Sequence, residues 1–357
     1  MGVAQAISIP DRAVEQRVSI RTARLDYLDT LKVVLTALVI AHHAGQPYGP
    51  TGGRWPIFEA DRAAVLGPFF SVNAAFFMGL FFMISAYFLP TSVDRKGVWA
   101  FLKDRLLRLG IPVVVVGVTI GTLSRSTFDP AHTWFIAHLL VYAAVYAMWR
   151  GLRLPTFGVS VPDHRAILGF AILLAGVTAI VRAAGFPLDR WVTVLGVIPV
   201  EVAHLPQYAS LFVIGLLAAR GRWLLDLPTR TGILWLAVGI ALSVARYLYA
   251  ATVARAPDPM VWCIWESFIC VGLCAGLPVL FREHLRAPGR MLQAMAPNAF
   301  GAYVVHVMPV VVGLQFALAQ LSLDPFTKFA LVTLVGVPLS FLLSAGLRRV
   351  PGIRAVL

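Results

Sequence analysis

The sequence predicts an all-α integral membrane protein, a bundle of about ten transmembrane helices with both termini in the cytoplasm. Three observations carry that expectation. Of 357 residues, 59% are hydrophobic and only 13% charged, about half the charged share of an ordinary soluble domain. So little polar surface cannot coat a globule of this size, and lipid must solvate much of the exterior. The apolar residues gather into runs of spanning length, and the basic residues fall between those runs, mostly on one side.

A spanning helix needs about 20 mostly apolar residues. Runs of that kind occupy 27–45, 67–89, 108–123, 133–149, 166–184, 205–219, 231–251, 261–281, 298–320 and 327–346. The sixth is short for a span. A backward extension into VLGVIPVEVAHL would meet Pro199 and Pro206, which break a regular helix. Of the 30 Lys and Arg, 21 lie on one set of ends; the opposite loops hold Arg54, Arg62, Arg125, Arg190 and Arg255. Cytoplasmic ends are the basic ones, so this bias places both termini in the cytoplasm and requires an even number of spans. It also accounts for the formal net charge of +13. The arginines form no basic helix or aromatic-studded basic sheet, so no nucleic-acid partner is expected. The chain divides into a cytoplasmic tail at 1–25, a polytopic membrane domain at 26–347 and a short basic tail at 348–357. Cys263, Cys270 and Cys274 share one apolar run, which reads as small membrane-helix residues rather than a disulfide or metal framework.

Ionisable groups at membrane depth face a cavity, water or a partner. The first span, LDYLDTLKVVLTALVIAHHAG, is densest in them. Lys32 and His43 are eleven residues apart, about three turns, so they share a helix face roughly 16 Å apart. Asp29, one turn before Lys32, can pair with it. His42 points about 100° away from His43. The His pair also fits the simpler reading of a helix end exposed to water. Glu266 and His306 each lie inside an apolar run and need a partner, a proton or water. Arg105 and Arg108 stand where RLLRLGIP enters the membrane, as anion ligands or as topology signals. Trp134 and Tyr142 suit packing as well as binding. Ser85 has no nucleophile elbow around it.

Taken together, these pieces resemble the membrane acyltransferase family 3. The spacing of Lys32 and His43 is similar to that family's Arg, ten residues, His, with Lys in the Arg position. FFMISAYF resembles its second-helix pattern, with Ala86 where Gly is usual. RLLRLGIP, HTWFIAHLLVY at 132–142, and the pair Tyr303 and His306 resemble its later motifs. The His-Trp-Phe, PQY and WES segments look most like the branch of osmoregulated-glucan succinyltransferases and glucan-modification proteins. The resemblance implies a ten-helix enzyme of the bacterial inner membrane that moves an acetyl or succinyl group from acyl-CoA to a glycan hydroxyl. Acyl-CoA would be a co-substrate, with no permanently bound cofactor. His43 would be base or acyl carrier, assisted by Lys32, Asp29, Glu266 and His306. Arg105, Arg108 and Trp134 would bind the donor. Self-association is left open. A proton-coupled transporter or flippase of a lipid or sugar is the rival class, because buried Lys, Glu and His suit that chemistry too.

Overall fold

A computed structural model of the chain describes residues 26–50, 55–156, 158–253, 255–285 and 289–357. The expected tail at 1–25 lies outside the described residues. Ten long helices follow the ten apolar runs. They are α1 (Asp26–Ala44), α2 (Leu66–Tyr87), α3 (Val98–Leu123), α4 (Trp134–Gly151) and α5 (His164–Ala183). After them come α6 (Leu205–Gly221), α7 (Thr229–Thr252), α8 (Pro259–His284), α9 (Arg290–Ala319) and α10 (Pro325–Leu347). Among the described residues, nine of these are long and apolar enough to cross a membrane. The exception is α1, whose Asp26, Asp29, Lys32, His42 and His43 lower its hydropathy. Its neighbours compensate. Leu28, Leu31, Leu35, Val39 and Ile40 are almost fully buried, and α1 packs against α2, α8, α9 and α10. Protein, rather than lipid, solvates the most polar helix.

The outer helices show the opposite pattern. Leu173 and Ile180 on α5, Leu248 on α7, and Leu334 and Leu342 on α10 are exposed, as lipid-facing side chains must be. Helices associate in lipid through close packing of small residues. The α7–α8 seam is the clearest case. A Cβ on Gly272 would stand 2.7 Å from Gly239 N and from Trp235 O, and one on Gly276 would stand 2.4 Å from Leu236 Cβ.

The region before the sixth span, where Pro199 and Pro206 would break a regular helix, is not helical over Trp191–Glu201. Residues Trp191–Val194 (β1) and Ile198–Glu201 (β2) form an antiparallel hairpin, and α6 begins only after it. Leu195 and Gly196 both carry positive φ, which turns the chain back, and Pro199 falls in an edge strand, where its missing N–H does no harm. The hairpin is fastened to the bundle. His138 Nε2 donates to Pro199 O at 2.9 Å, and Trp134 meets Trp191 edge to face.

Contacts also gather the arginine-bearing turns at one end of the bundle. Arg150 pairs with Asp94 at 2.7 Å. Arg282 donates to the carbonyls of Leu225 and Leu227, both at 2.8 Å, and the Tyr27 hydroxyl donates to Leu224 O at 2.8 Å. The histidines of α1 lie at the other end.

Candidate active site

Three histidines from three separate segments meet near the C-terminal end of α1. The His43 ring centroid is 5.0 Å from that of His306 on α9 and 6.4 Å from that of His132, just before α4. His132 and His306 are 5.1 Å apart. The hydrogen bonds fix which nitrogens carry protons. His306 Nδ1 lies 2.6 Å from the carbonyl oxygen of Tyr303. A carbonyl only accepts, so Nδ1 bears the hydrogen, and in a neutral ring Nε2 is then an acceptor. His43 Nδ1, 2.9 Å from that Nε2, must be the donor. The lone pair of His43 therefore sits on Nε2. By the same reasoning His132 Nε2 donates to Val304 O at 3.0 Å. Its Nδ1 keeps a lone pair that meets no hydrogen-bond partner among the described residues.

Two further groups hold His43. The last turn of a helix leaves carbonyls without intrahelical partners. Gln315, fully buried on α9, donates to the carbonyls of His43 and Ala44 at 3.2 and 3.1 Å. Its own oxygen accepts from Trp55 Nε1 at 2.7 Å. The Trp55 indole in turn lies nearly parallel to the His43 ring, 12° between planes and 5.7 Å between centroids. The segment carrying Trp55 is anchored by Glu59, which accepts from the buried Lys328 ammonium at 2.6 Å. Residues His306–Val312 are π-helical around Pro309, a bulge often found at functional positions. It begins at His306 and ends before Gln315, the two α9 residues that serve His43.

Below the histidines lies a cavity of about 220 Å³, lined by Lys32, Thr36, Ser85, Phe88, Arg105 and Tyr303 among others. Lys32 pairs with Asp29 at 2.5 Å and lies over the Phe88 ring. Arg105 lies over Phe101. Tyr303 is the wall shared by cavity and histidines. Its carbonyl orients His306 and its hydroxyl donates to the carbonyl of His132.

The structure thus joins His43 to His306, and sets Lys32, paired with Asp29, and Arg105 at a neighbouring cavity that reaches the histidines through Tyr303; it does not assemble the whole expected set. Arg108 is exposed and does not line the cavity. Leu106–Gly110 is π-helical, so the three-residue spacing no longer keeps Arg105 and Arg108 on one face. Trp134 does not line it either; it packs with His138, Trp191 and Tyr208. Glu266 belongs elsewhere. It forms a buried ion pair with Arg182 on α5, and His204 Nε2 stands 3.9 Å from its second oxygen. His204 Nδ1 bonds Glu201 at 2.7 Å, and Glu201 also accepts from Asp189 N at 2.9 Å. A carboxylate at this depth requires a cation, and Arg182 supplies it. Sequence reasoning missed Arg182, His132, Gln315 and Trp55. His132 opens a segment already singled out by its pattern; the other three carry no local signal.

Residues 25–345 match the profile of an acyltransferase domain, that of acyltransferase family 3. No curated protein matches the chain, and no solved structure matches it. The matched region runs from the start of α1 to the last turn of α10 and contains the three histidines and the basic cavity. The chain belongs to acyltransferase family 3 and is a multi-pass membrane acyltransferase.

Proposed function

We propose that the protein transfers a short acyl group, acetyl or succinyl, from acyl-CoA to a hydroxyl of an envelope glycan at the bacterial inner membrane. The single observation that carries this reading is the hydrogen-bonded chain from Tyr303 O through His306 to His43, which leaves the lone pair on His43 Nε2. That arrangement suits a general base. Nε2 removes the proton of the acceptor hydroxyl as its oxygen attacks the thioester carbonyl. The C–O bond forms, the C–S bond breaks, and the thiolate of CoA takes the proton back from Nε2. His43 Nδ1–H donates to His306 throughout, which stabilises the transient imidazolium.

The cavity supports a place for the donor. Charge bias puts the Lys32 end in the cytoplasm, where acyl-CoA is made, and Lys32 and Arg105 offer positive charge to its phosphates. Lys32 sits about three turns from His43, so it holds the CoA arm rather than acting on the thioester carbonyl. The acceptor approaches from the opposite side, where His43 and Trp55 lie. The succinyl–glucan version of this reading is supported by the PQY and WES segments. Family membership favours acyl transfer over the rival transport reading.

The test is direct. Purified protein in proteoliposomes is given radiolabelled acyl-CoA and a glycan acceptor, and label on the acceptor is counted. The His43→Ala variant is expected to lose at least about 10²-fold in transfer while eluting and melting like the parent. Full transfer by that variant would sink the mechanism, and acceptor movement without acyl-CoA would favour transport.

A further inference from the structure

A second cavity, of about 590 Å³, lies on the other side of α2. Met83 faces it, whereas the adjacent Ile84 and Ser85 face the donor cavity, so α2 separates the two. Its walls come from α2, α5, α6 and α8, with Phe170, Leu211, Ile214 and Ala275 among them. The volume lies within the usual range for a small-molecule pocket. The lining is apolar except at one rim, formed by Ser160 and Asp163. Nothing inside could meet the phosphates of a nucleotide or the hydroxyls of a sugar, and burying such groups unpaired is costly. Hydrocarbon fits.

The rim has its own chemistry. It lies at the arginine-rich end of the bundle. Trp223 spans it, partly exposed, with Nε1 donating to Val159 O at 2.9 Å, an indole arrangement typical of the headgroup level. Arg165 follows the rim residue Asp163 by two positions. Arg230 adjoins Thr231, whose hydroxyl meets His164 at 3.4 Å, so both arginines stand on the turns beside the opening. Asp226 neutralises Arg222 at 3.1 Å, and the Asp163 carboxylate accepts from Ala166 N as the cap of α5. Arg165 and Arg230 are exposed and form no ion pair among the described residues.

We propose that this cavity holds one acyl tail of an anionic glycerophospholipid of the surrounding bilayer, with its phosphate group seated at Arg165 and Arg230. A lipid meets both halves of the site at once, apolar depth and cationic rim, and anionic headgroups are favoured by juxtamembrane arginines. Its tail would bridge α2, α5, α6 and α8. This role is separate from acyl transfer and stands whether or not His43 is the base.

The experiment uses the full chain, delipidated in detergent and supplied with phosphatidylglycerol or phosphatidylcholine. Native mass spectrometry is expected to retain one phosphatidylglycerol, and the melting temperature to rise by about 3–5 °C over the phosphatidylcholine sample. Ala275→Phe, which fills the cavity, should abolish both effects. Should that variant fail to fold, the surface variant Arg165→Glu with Arg230→Glu decides. It should melt like the parent in phosphatidylcholine and lose the phosphatidylglycerol advantage. Equal stabilisation of the parent by both lipids, retention of phosphatidylglycerol by Ala275→Phe, or an unchanged advantage in the double variant would overturn the proposal.

Discussion

The cluster of Arg182, Glu266, His204 and Glu201 closes on itself, whereas the cluster of His43, His306 and His132 does not. In the first, carboxylates and cations from α5, α8, the hairpin and the turn leading into α6 balance one another's charge, although Arg182 Nε and His204 Nε2 meet no hydrogen-bond partner among the described residues, and the four side chains are all nearly excluded from solvent. In the second, every partner is a carbonyl or another ring, and the chain of hydrogen bonds ends on lone pairs at His43 Nε2 and His132 Nδ1. Both satisfy the rule that ionisable residues in a membrane need company. They teach that the kind of company matters. A compensated set holds helices together; a set with unspent acceptors is positioned to take a proton.

Several experiments would break or sharpen that contrast. The largest effect is expected in the closed cluster. Arg182→Ala or Glu266→Ala leaves a buried charge without its partner, at about 3–5 kcal/mol. The readout is thermal unfolding and folded yield in detergent. The paired replacement Arg182→Met with Glu266→Leu should recover most of the loss, and failure to recover would mean that the charges serve more than each other.

In the open cluster, His306→Phe should lower kcat by about 10²-fold through loss of the partner that fixes the His43 tautomer. Melting and KM for acyl-CoA should hardly move. His306→Gln, whose amide oxygen can still accept from His43 Nδ1, should recover part of the rate. Equal loss in both variants would contradict the tautomer assignment. A smaller, different change is expected at the cavity. Lys32→Ala and Arg105→Ala should each raise KM for acyl-CoA by about tenfold, as expected for the loss of one charge-assisted phosphate contact. The effect should shrink as salt is added, and an unchanged KM would place the donor elsewhere.

The smallest effect concerns the hairpin. Burial alone would push the Glu201 carboxyl up, but the positive charge of His204 and hydrogen bonds from His204 and Asp189 N outweigh it and hold Glu201 below the usual carboxylate range. A depressed folded-state value means that the stabilisation is present above the unfolded-state value of about 4.3. It is lost as pH falls below that value and through the folded one. Melting temperature should therefore decline on acidification in the parent and less so in Glu201→Gln. Parallel curves would show that the hairpin latch does not titrate.

Much of the bundle was legible in the sequence because lipid imposes a single demand, long apolar runs, and eight of the ten helices lie within a few residues of their runs, while α3 and α9 begin ten and eight residues early, in more polar stretches. The hairpin was not, since Val192, Val194 and Ile198 read as apolar in strand and helix alike. Within the site, the Lys32–Asp29 pair follows from helical spacing alone, and the structure shows it. The meeting of His43 with His306 spans 263 positions and rests on tertiary packing. Arg182 shows the limit most clearly. A lone arginine near a helix end looks like an interfacial anchor, and only the packing of α5 on α8 turns it toward Glu266. Gln315 was hidden for the opposite reason, as one amide in an apolar run whose partners are two backbone carbonyls of another helix and an indole from a loop.

The π-helical segment His306–Val312 has an evolutionary consequence. A π-bulge behaves as one residue inserted into an α-helix. Removing a single residue from that segment would restore the regular period and rotate everything beyond it by about 100°. Gln315 would swing away from α1 while His306 stayed in place, and the two supports of His43 would fall out of phase. Substitutions along α9 can therefore drift, but the length of this segment is counted, and homologues that keep the chemistry are expected to keep the count.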